Sequence, residues 1–297
     1  MSQQVCAVVV TYNRKELLVE CLEALDSQTC PVDQIFIIDN ASTDGTYEFL
    51  ADQGYFDEDE VEFIGLPGNR GGAGGFYEGL KRAYADQYDW IWVMDDDSIP
   101  EPDALQQLLA AYQRLEPVKP PKLLASRAVW LDRSLHPMNI PQAKTSDPDL
   151  ALLAAEQATM SIRFATFVSL LLHRSVIDGY GLPIADYFIW SDDIEYTARI
   201  LKQEFGVAVP ASVVVHKTAK KYTHLNDSGP RYYYHIRNNI WMLTRSRAWT
   251  TKEKIKKAIN FVGGIGLYLL TTRFRWTGVR SLTLGVKDGL FKAPRLP

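Results

Sequence analysis

Trp90-Ile91-Trp92-Val93-Met94-Asp95-Asp96-Asp97 is an apolar, β-rich run that stops at three consecutive carboxylates. Five large apolar residues in succession suit a strand buried on both faces, as in parallel sheets. Three adjacent acids at the end of such a strand repel one another, so a cation is expected beside them. The stretch therefore points both to an α/β sheet and to a place where a divalent metal meets phosphate.

Upstream, short β-rich runs alternate with helical patterns. Residues 5–10 read as a strand, and Leu17, Leu18, Cys21, Leu22 and Leu25 recur at helical spacing within 14–27. Residues 34–38 read as a strand ending at Asp39-Asn40, 42–51 as a loop running into a helix, 61–64 as a third strand, and 74–85 as a helix behind a glycine-rich loop. Downstream, strands are expected near 123–130, over 164–173 and over 207–216, where the last ends in His216. Residues 186–202 run into a helix, 116–150 read as a Pro-rich irregular connection, and the pattern from Tyr232 onward is helical. Such alternation predicts a mostly parallel, Rossmann-like sheet flanked by helices. Thr11/Asn13, Asp39/Asn40 and Asp95–Asp97 all follow strands, and ligands bind at the carboxyl ends of strands in open α/β sheets. One shared, nucleotide-sized crevice is expected.

The 297 residues are 46% hydrophobic and 23% charged, a globular make-up. Cys6, Cys21 and Cys30 form neither a disulfide framework nor a zinc-ligand pattern, which favours a reducing compartment. Met1-Ser-Gln-Gln lacks a basic region before its short apolar run, so neither a signal peptide nor an anchor is expected there. Net charge is −4, yet residues 241–297 hold twelve Lys or Arg against Glu253 and Asp288 alone. An acidic body with a basic tail suggests a tail that meets an anionic surface. Nucleic acid is not the expected partner, because the body would repel phosphate and no recognition motif is present.

Asp39, Asp95–Asp97, Asp192/Asp193 and His216 form a set of acids plus one imidazole. Oxygen donors with one His suit Mg²⁺ or Mn²⁺, which would steady a departing nucleoside diphosphate. The second acidic pair could then supply a base for an acceptor hydroxyl.

The runs Val8-Val9-Val10-Thr11-Tyr12-Asn13-Arg14, Ile37-Ile38-Asp39-Asn40-Ala41-Ser42-Thr43-Asp44-Gly45, Asn69-Arg70-Gly71-Gly72-Ala73-Gly74-Gly75-Phe76, the triple Asp, and Trp190-Ser191-Asp192-Asp193-Ile194-Glu195-Tyr196 occur in that order. Over roughly the first 220 residues the chain thereby resembles the inverting glycosyltransferases of family 2, with the GT-A fold. The resemblance implies that Thr11, Asn13 and Asp39 hold base and ribose, and that Asp95 and Asp97 bind nucleotide and metal. Arg14, Asn69, Gly72, Asp96, Trp190 and Arg237 complete the implied nucleotide-sugar site. His216 matches the metal-binding histidine, Asp193 the base, and Asp192 an acceptor-sugar contact.

The triple Asp, the Gly-Gly-Ala-Gly-Gly-Phe loop and the Trp before the paired Asp are similar to those of the family's galactofuranosyltransferases. Rhamnosyltransferases more often carry Asn where Phe76 stands. The implied donor is UDP-galactofuranose, and the implied acceptor a glycan or lipid-linked glycan of the cell surface. Short length favours adding one or a few residues over a long polymer. The rivals are a rhamnosyltransferase using a dTDP-sugar and a non-catalytic module that binds nucleotide-sugar or glycan.

The expected division is a catalytic domain over 1–235 and a basic helical tail over 236–297. Within the tail, residues 261–270 are about half the ~20 apolar residues that span a bilayer. Flanked by Lys252, Lys254, Lys256, Lys257, Arg273 and Arg275, they suit a helix lying on an anionic leaflet, peripheral on the cytoplasmic face. Packing on the body or on a second subunit is the alternative.

Overall fold

The computed structural model describes residues 3–57, 59–221, 229–272 and 275–296. The first half runs β1 (Val5–Thr11), α1 (Lys15–Asp26), β2 (Gln34–Asp39), α2 (Thr46–Asp52), β3 (Val61–Gly65), α3 (Gly71–Ala85) and β4 (Trp90–Asp95). There follow β5 (Ser98–Pro100), α4 (Ala104–Leu115), β6 (Leu123–Val129), β7 (Gln142–Ala143), α5 (Pro148–Glu156), β8 (Met160–Phe164), β9 (Leu170–His173), α6 (Ser175–Tyr180), α7 (Asp192–Leu201) and β10 (Gly206–His216). Helices α8 (Tyr232–Thr244), α9 (Thr251–Thr271) and α10 (Arg275–Phe291) close the chain.

Among the described residues the strands form one sheet in the order β3-β2-β1-β4-β9-β6-β10-β8-β7, with β5 paired to β10. The pairs β3/β2, β2/β1, β1/β4 and β6/β10 are parallel, whereas β9 lies antiparallel between β4 and β6. Every residue of β1 is buried, because the sheet is covered on both faces. Val5, Ala7 and Val9 join Trp90, Trp92 and Met94 against α1 and α4, through Leu18, Leu22, Leu105 and Leu108. Cys6, Val8 and Val10 point the other way, with Ile91 and Val93, onto Phe76, Leu80, Tyr196 and Ile200. The period-2 alternation divides one apolar run between two cores, each fully buried large side chain adding about 1.5–3 kcal/mol.

Helix α3 begins at Gly71, three residues before the expected start. Gly75 and Gly79 lie against the sheet: a Cβ there would come within 2.4 Å of Val10 Cγ1 and 2.3 Å of Val8 Cγ1. Close helix–sheet packing accounts for these two glycines.

Residues 164–173, expected as one strand, are divided between β8 and β9, which pair with different neighbours. Between them Phe167 packs edge-on against Phe76 and near Tyr196, and Ser169 adopts φ +57°, so the chain leaves the sheet and returns. The expected irregular stretch 116–150 also holds the start of α5. Asp147 caps it by accepting from Leu150 N at 3.1 Å, with Pro148 at the first helical position.

Helix α8 runs straight through residue 236, where the tail was expected to begin. Tyr232, Ile236 and Ile240 pack with Tyr268, Leu282 and Val286, which draws α9 and α10 onto α8. The N-terminus of α9 carries a reciprocal cap between Thr250 and Glu253, and Glu253 also accepts from Arg163 Nε at 2.8 Å. No helix among the described residues is long and apolar enough to cross a membrane.

Candidate active site

Asp95 closes β4, and the chain then reverses through Asp96-Asp97 into β5. Because β5 pairs antiparallel with the end of β10, Ser98 lies opposite His216, and Lys217 N donates to Asp97 O at 2.7 Å. This reversal brings the triple Asp and a distant histidine together. His216 Nε2 stands 3.1 Å from Asp97 Oδ1, and one donor atom each from Asp95, Asp97 and His216 lie within 4.8 Å of one another.

Asn139 fixes the imidazole. Its Oδ1 lies 2.8 Å from His216 Nδ1, while its Nδ2 donates to Thr166 Oγ1 at 3.0 Å. An amide oxygen only accepts, so Nδ1 carries a proton, and in the neutral imidazole the Nε2 lone pair faces a carboxylate. Asp97 Oδ1 is buried and has no hydrogen bond. Two acceptors at that spacing need a proton or a cation between them, and the O/O/N donor set is of the kind that takes Mn²⁺ or Mg²⁺.

Arg14 Nη1 pairs with Asp96 Oδ1 (3.2 Å) and Asp97 Oδ2 (2.9 Å), and Thr11 Oγ1 donates to Asp96 Oδ2 (2.8 Å). Burial pushes Asp96 up to about 6 against the pull of Arg14. Burial and then the neighbouring Asp97 and Asp96 push Asp95 well above the carboxylate range. Burial opposes ionisation of Asp97 too, but a protonated His216 together with Arg14 outweighs it and holds Asp97 low, the place a cation would take beside the neutral imidazole. Thr11 and Arg14, expected on the nucleotide, are here hydrogen-bonded to the acids.

Thr11 and Asp39 are register partners across β1 and β2, so their carboxyl-terminal ends share an edge with the acids. Asn13 takes a left-handed φ of +53°, and its Oδ1 accepts from Thr43 N at 2.7 Å. Asp39 accepts from Ser42 N at 2.9 Å and from the Ser42 hydroxyl. Asn69 Oδ1 accepts from Gly71 N at 2.7 Å. Around Gly72 a Cβ would meet nothing, whereas at Gly71, with φ +70°, it would lie 1.9 Å from Phe188 O. Gly71→Ala combines a strained φ, worth about 1–3 kcal/mol, with that collision. It is expected to lower Tm by at least ~5 °C in calorimetry, and a shift within 1 °C would contradict the packing.

Phe188 presses on Gly71 from the loop that delivers the second acidic pair. Phe188, Trp190 and Ser191 adopt φ of +65°, +65° and +72°, after which α7 begins with Asp192-Asp193. Asp193 Oδ1 accepts from Ile194 N at 2.7 Å, at the positive end of the helix. Burial, eased by backbone N–H groups, pushes Asp193 up to about 6. Asp192 is pushed well up by burial and then by Asp193. Asp95 acts on Asp192, and Asp193 on Asp95, so the two acidic groups are near enough for their charges to interact.

Glu195 serves the helix rather than the site. It is buried, accepts from Ser246 Oγ at 2.8 Å and pairs with Arg199 at 3.2 Å, anchoring α7. Arg237, expected at a diphosphate, instead donates through Nη2 to the carbonyls of Asp186 and Tyr187, both at 2.8 Å. Its guanidinium is packed on Trp241, 4.2 Å from the ring centroid, which holds it toward that loop.

The family model for glycosyl transferase family 2 matches residues 6–170, from β1 into β9. The chain belongs to glycosyl transferase family 2. Galactofuranosyltransferase GlfT1 of Mycolicibacterium smegmatis is 27% identical over 304 aligned residues, spanning 94% of each chain. GlfT1 of Mycobacterium tuberculosis is 28% identical over 219, covering 71% of this glycosyltransferase and 70% of the relative. Among solved structures, S. aureus TarS 1-349 in complex with UDP-GlcNAc matches with a TM-score of 0.63 at 12% identity, over 98% of this chain and 82% of that one. The mannosyltransferase PcManGT from Pyrobaculum calidifontis, in complex with GDP-Man and Mn²⁺, matches with a TM-score of 0.57 at 13% identity, over 97% and 87%. At those identities the likeness establishes the GT-A fold of this glycosyltransferase and nothing finer.

Proposed function

We propose that this glycosyltransferase moves galactofuranose from UDP-galactofuranose, with inversion, onto a hydroxyl of a glycan or lipid-linked glycan in cell-surface polysaccharide synthesis. The observation that carries the reading is the cluster of Asp95, Asp97 and His216 after β4, with Asp193 at the start of α7 near enough for its charge to act on Asp95. The likeness to GlfT1 across 94% of both chains supports the choice of sugar.

Thr11, Asn13 and Asp39 line the strand ends proposed for base and ribose, beside Asn69 and Gly72. Asp95, Asp97 and His216 would hold Mn²⁺ or Mg²⁺, which when bound supplies positive charge to the diphosphate of the leaving UDP. Asp193 takes the proton as the acceptor hydroxyl attacks the anomeric carbon, and the C1–O bond to UDP breaks on the opposite face. Asp192 stands next to that carboxylate as the acceptor-sugar contact, and Trp190 belongs to the donor side.

Thermal stabilisation by UDP, dTDP, GDP and UDP-galactofuranose, each with Mn²⁺ or with EDTA, tests the donor. UDP ligands are expected to raise Tm in a metal-dependent way, the fold gaining RT ln(1 + [L]/Kd), about 2.7 kcal/mol at a hundredfold excess over Kd. Preference for dTDP would replace galactofuranose with rhamnose, and silence toward all four would favour the binding module.

The tail is proposed to rest on an anionic membrane surface. Ile255, Ile259, Val262 and Leu270 on α9, and Trp276 and Phe291 on α10, are all more than half exposed. Lys252 and Lys256 on α9 and Arg275, Arg280 and Lys287 on α10 are exposed among them. Lys257 is not part of that face: its ammonium lies 3.8 Å from the Trp249 ring centroid, and burial lowers its pKa to about 8. Arg273 lies outside the described residues. Flotation with vesicles containing anionic lipid is expected to retain the protein and to lose most of it on the combined change Ile259→Ser, Val262→Ser and Trp276→Ser. Absence of flotation for the unaltered chain would sink the membrane reading.

A further inference from the structure

We propose that Asn238, braced by Arg237, is a positioning residue that holds the loop 187–191 in the conformation presenting Asp193 to the acceptor. The inference rests on the reading of Asp193 as the base.

Three of the five residues in that loop, Phe188, Trp190 and Ser191, are non-glycine residues with left-handed φ. Each costs of order 1–3 kcal/mol unless the surroundings over-determine it. The strain is also directional, because the turn gathers the carbonyls of Tyr187, Ile189 and Trp190 around one point. Converging carbonyl dipoles repel unless a donor stands among them.

That donor is Asn238 Nδ2, at 3.0 Å from Tyr187 O, 2.9 Å from Ile189 O and 2.9 Å from Trp190 O. Asn238 is fully buried. For the carbonyls of Ile189 and Trp190 it is the only side-chain donor among the described residues. Its Oδ1 accepts from Arg237 Nε at 3.0 Å and Nη2 at 2.8 Å. These bonds fix the amide's orientation, since the reversed amide would set its oxygen against three carbonyls and its NH₂ against a guanidinium. On the other side of the loop, Phe188 O accepts from Ala73 N of α3 at 3.2 Å. The loop is therefore held from α8 and α3 at once, and its next two residues are Asp192 and Asp193.

Asn238→Asp keeps shape and reverses the chemistry, aiming a carboxylate at three carbonyls. UDP release from UDP-galactofuranose, with octyl galactofuranoside as acceptor, is expected to show kcat reduced by about 10²-fold. The Kd for UDP with Mn²⁺ should stay within twofold. On an Asp193→Asn background the same change should cost less than threefold more, because two residues acting as a unit are not additive.

Arg237→Lys, which keeps the charge and loses the fork, is the second variant if Asn238→Asp does not fold. It should show a smaller kcat loss with the same unchanged UDP affinity. Parallel losses of UDP affinity and kcat, or full additivity with Asp193→Asn, would overturn the clamp. Full activity in Asp193→Asn alone would instead remove the base assignment, and the clamp's purpose with it.

Discussion

Asp193→Asn is expected to lower kcat about 10³-fold while leaving the Kd for UDP with Mn²⁺ unchanged, within the 10²–10⁴ range for general-base catalysis. The amide can still accept from Ile194 N as Asp193 Oδ1 does, so the start of α7 should survive. What it cannot do is take a proton from the acceptor hydroxyl. Burial pushes Asp193 up to about 6, so near pH 7 it is largely ionised and suits the proposed base, while burial and the charge of Asp193 push Asp192 well above the usual range. In the unaltered enzyme kcat should rise with pH and level off above about 6, as the interacting carboxylates lose a proton. The variant's residual rate should lack that acid limb. Retained turnover in Asp193→Asn, or an unchanged limb, would place the base elsewhere.

The second large effect concerns Asp95, where activity and stability are expected to move in opposite directions. Asp95→Asn should abolish the Mn²⁺-dependent rise in Tm with UDP and lower kcat/KM by about 10²–10³-fold, a few kcal/mol of charge stabilisation. The metal-free variant should nonetheless melt higher than the metal-free parent at pH 7. Burial, Asp97 and Asp96 all raise the Asp95 pKa, so its ionised form is disfavoured in the folded state. With a raised pKa, the parent in EDTA loses stability as pH climbs above the unfolded carboxylate value, and the variant lacks that contribution. Calorimetry in EDTA from pH 5 to 8 checks the sign. A variant that melts lower than the parent across that range would show that Asp95 supports the fold rather than a cation.

Much of this molecule was readable from local pattern. The continuous apolar runs of β1 and β4 could only be strands covered on both faces, and the acids after them marked the ligand edge. The paired Asp at the start of α7 was equally plain. The connections were harder, because Pro and polar residues dominated them: Asp147-Pro148 is a helix start inside a stretch that read as irregular. Residues 164–173 read as one strand, whereas Phe167 packs on Phe76 out of the sheet. Asn139 carried no local signal at all, its role arising only where His216 arrives beside it. Arg237 and Asn238 were visible as polar residues in an aromatic helix but not as holders of a loop some fifty positions earlier.

The division follows from the range of the forces involved. Burial and backbone pairing act through periodicity along the chain, so the sequence by itself determined the strands, most helices, the sheet's ligand edge and the identity of the acids. The proposed cation ligation, histidine orientation and loop strain depend on atoms 2.8–3.1 Å apart that come from distant segments. Only the tertiary structure decided that β5 folds back on β10 to join Asp97 to His216, that Gly71 yields to Phe188, and that Asn238 closes the loop before Asp193.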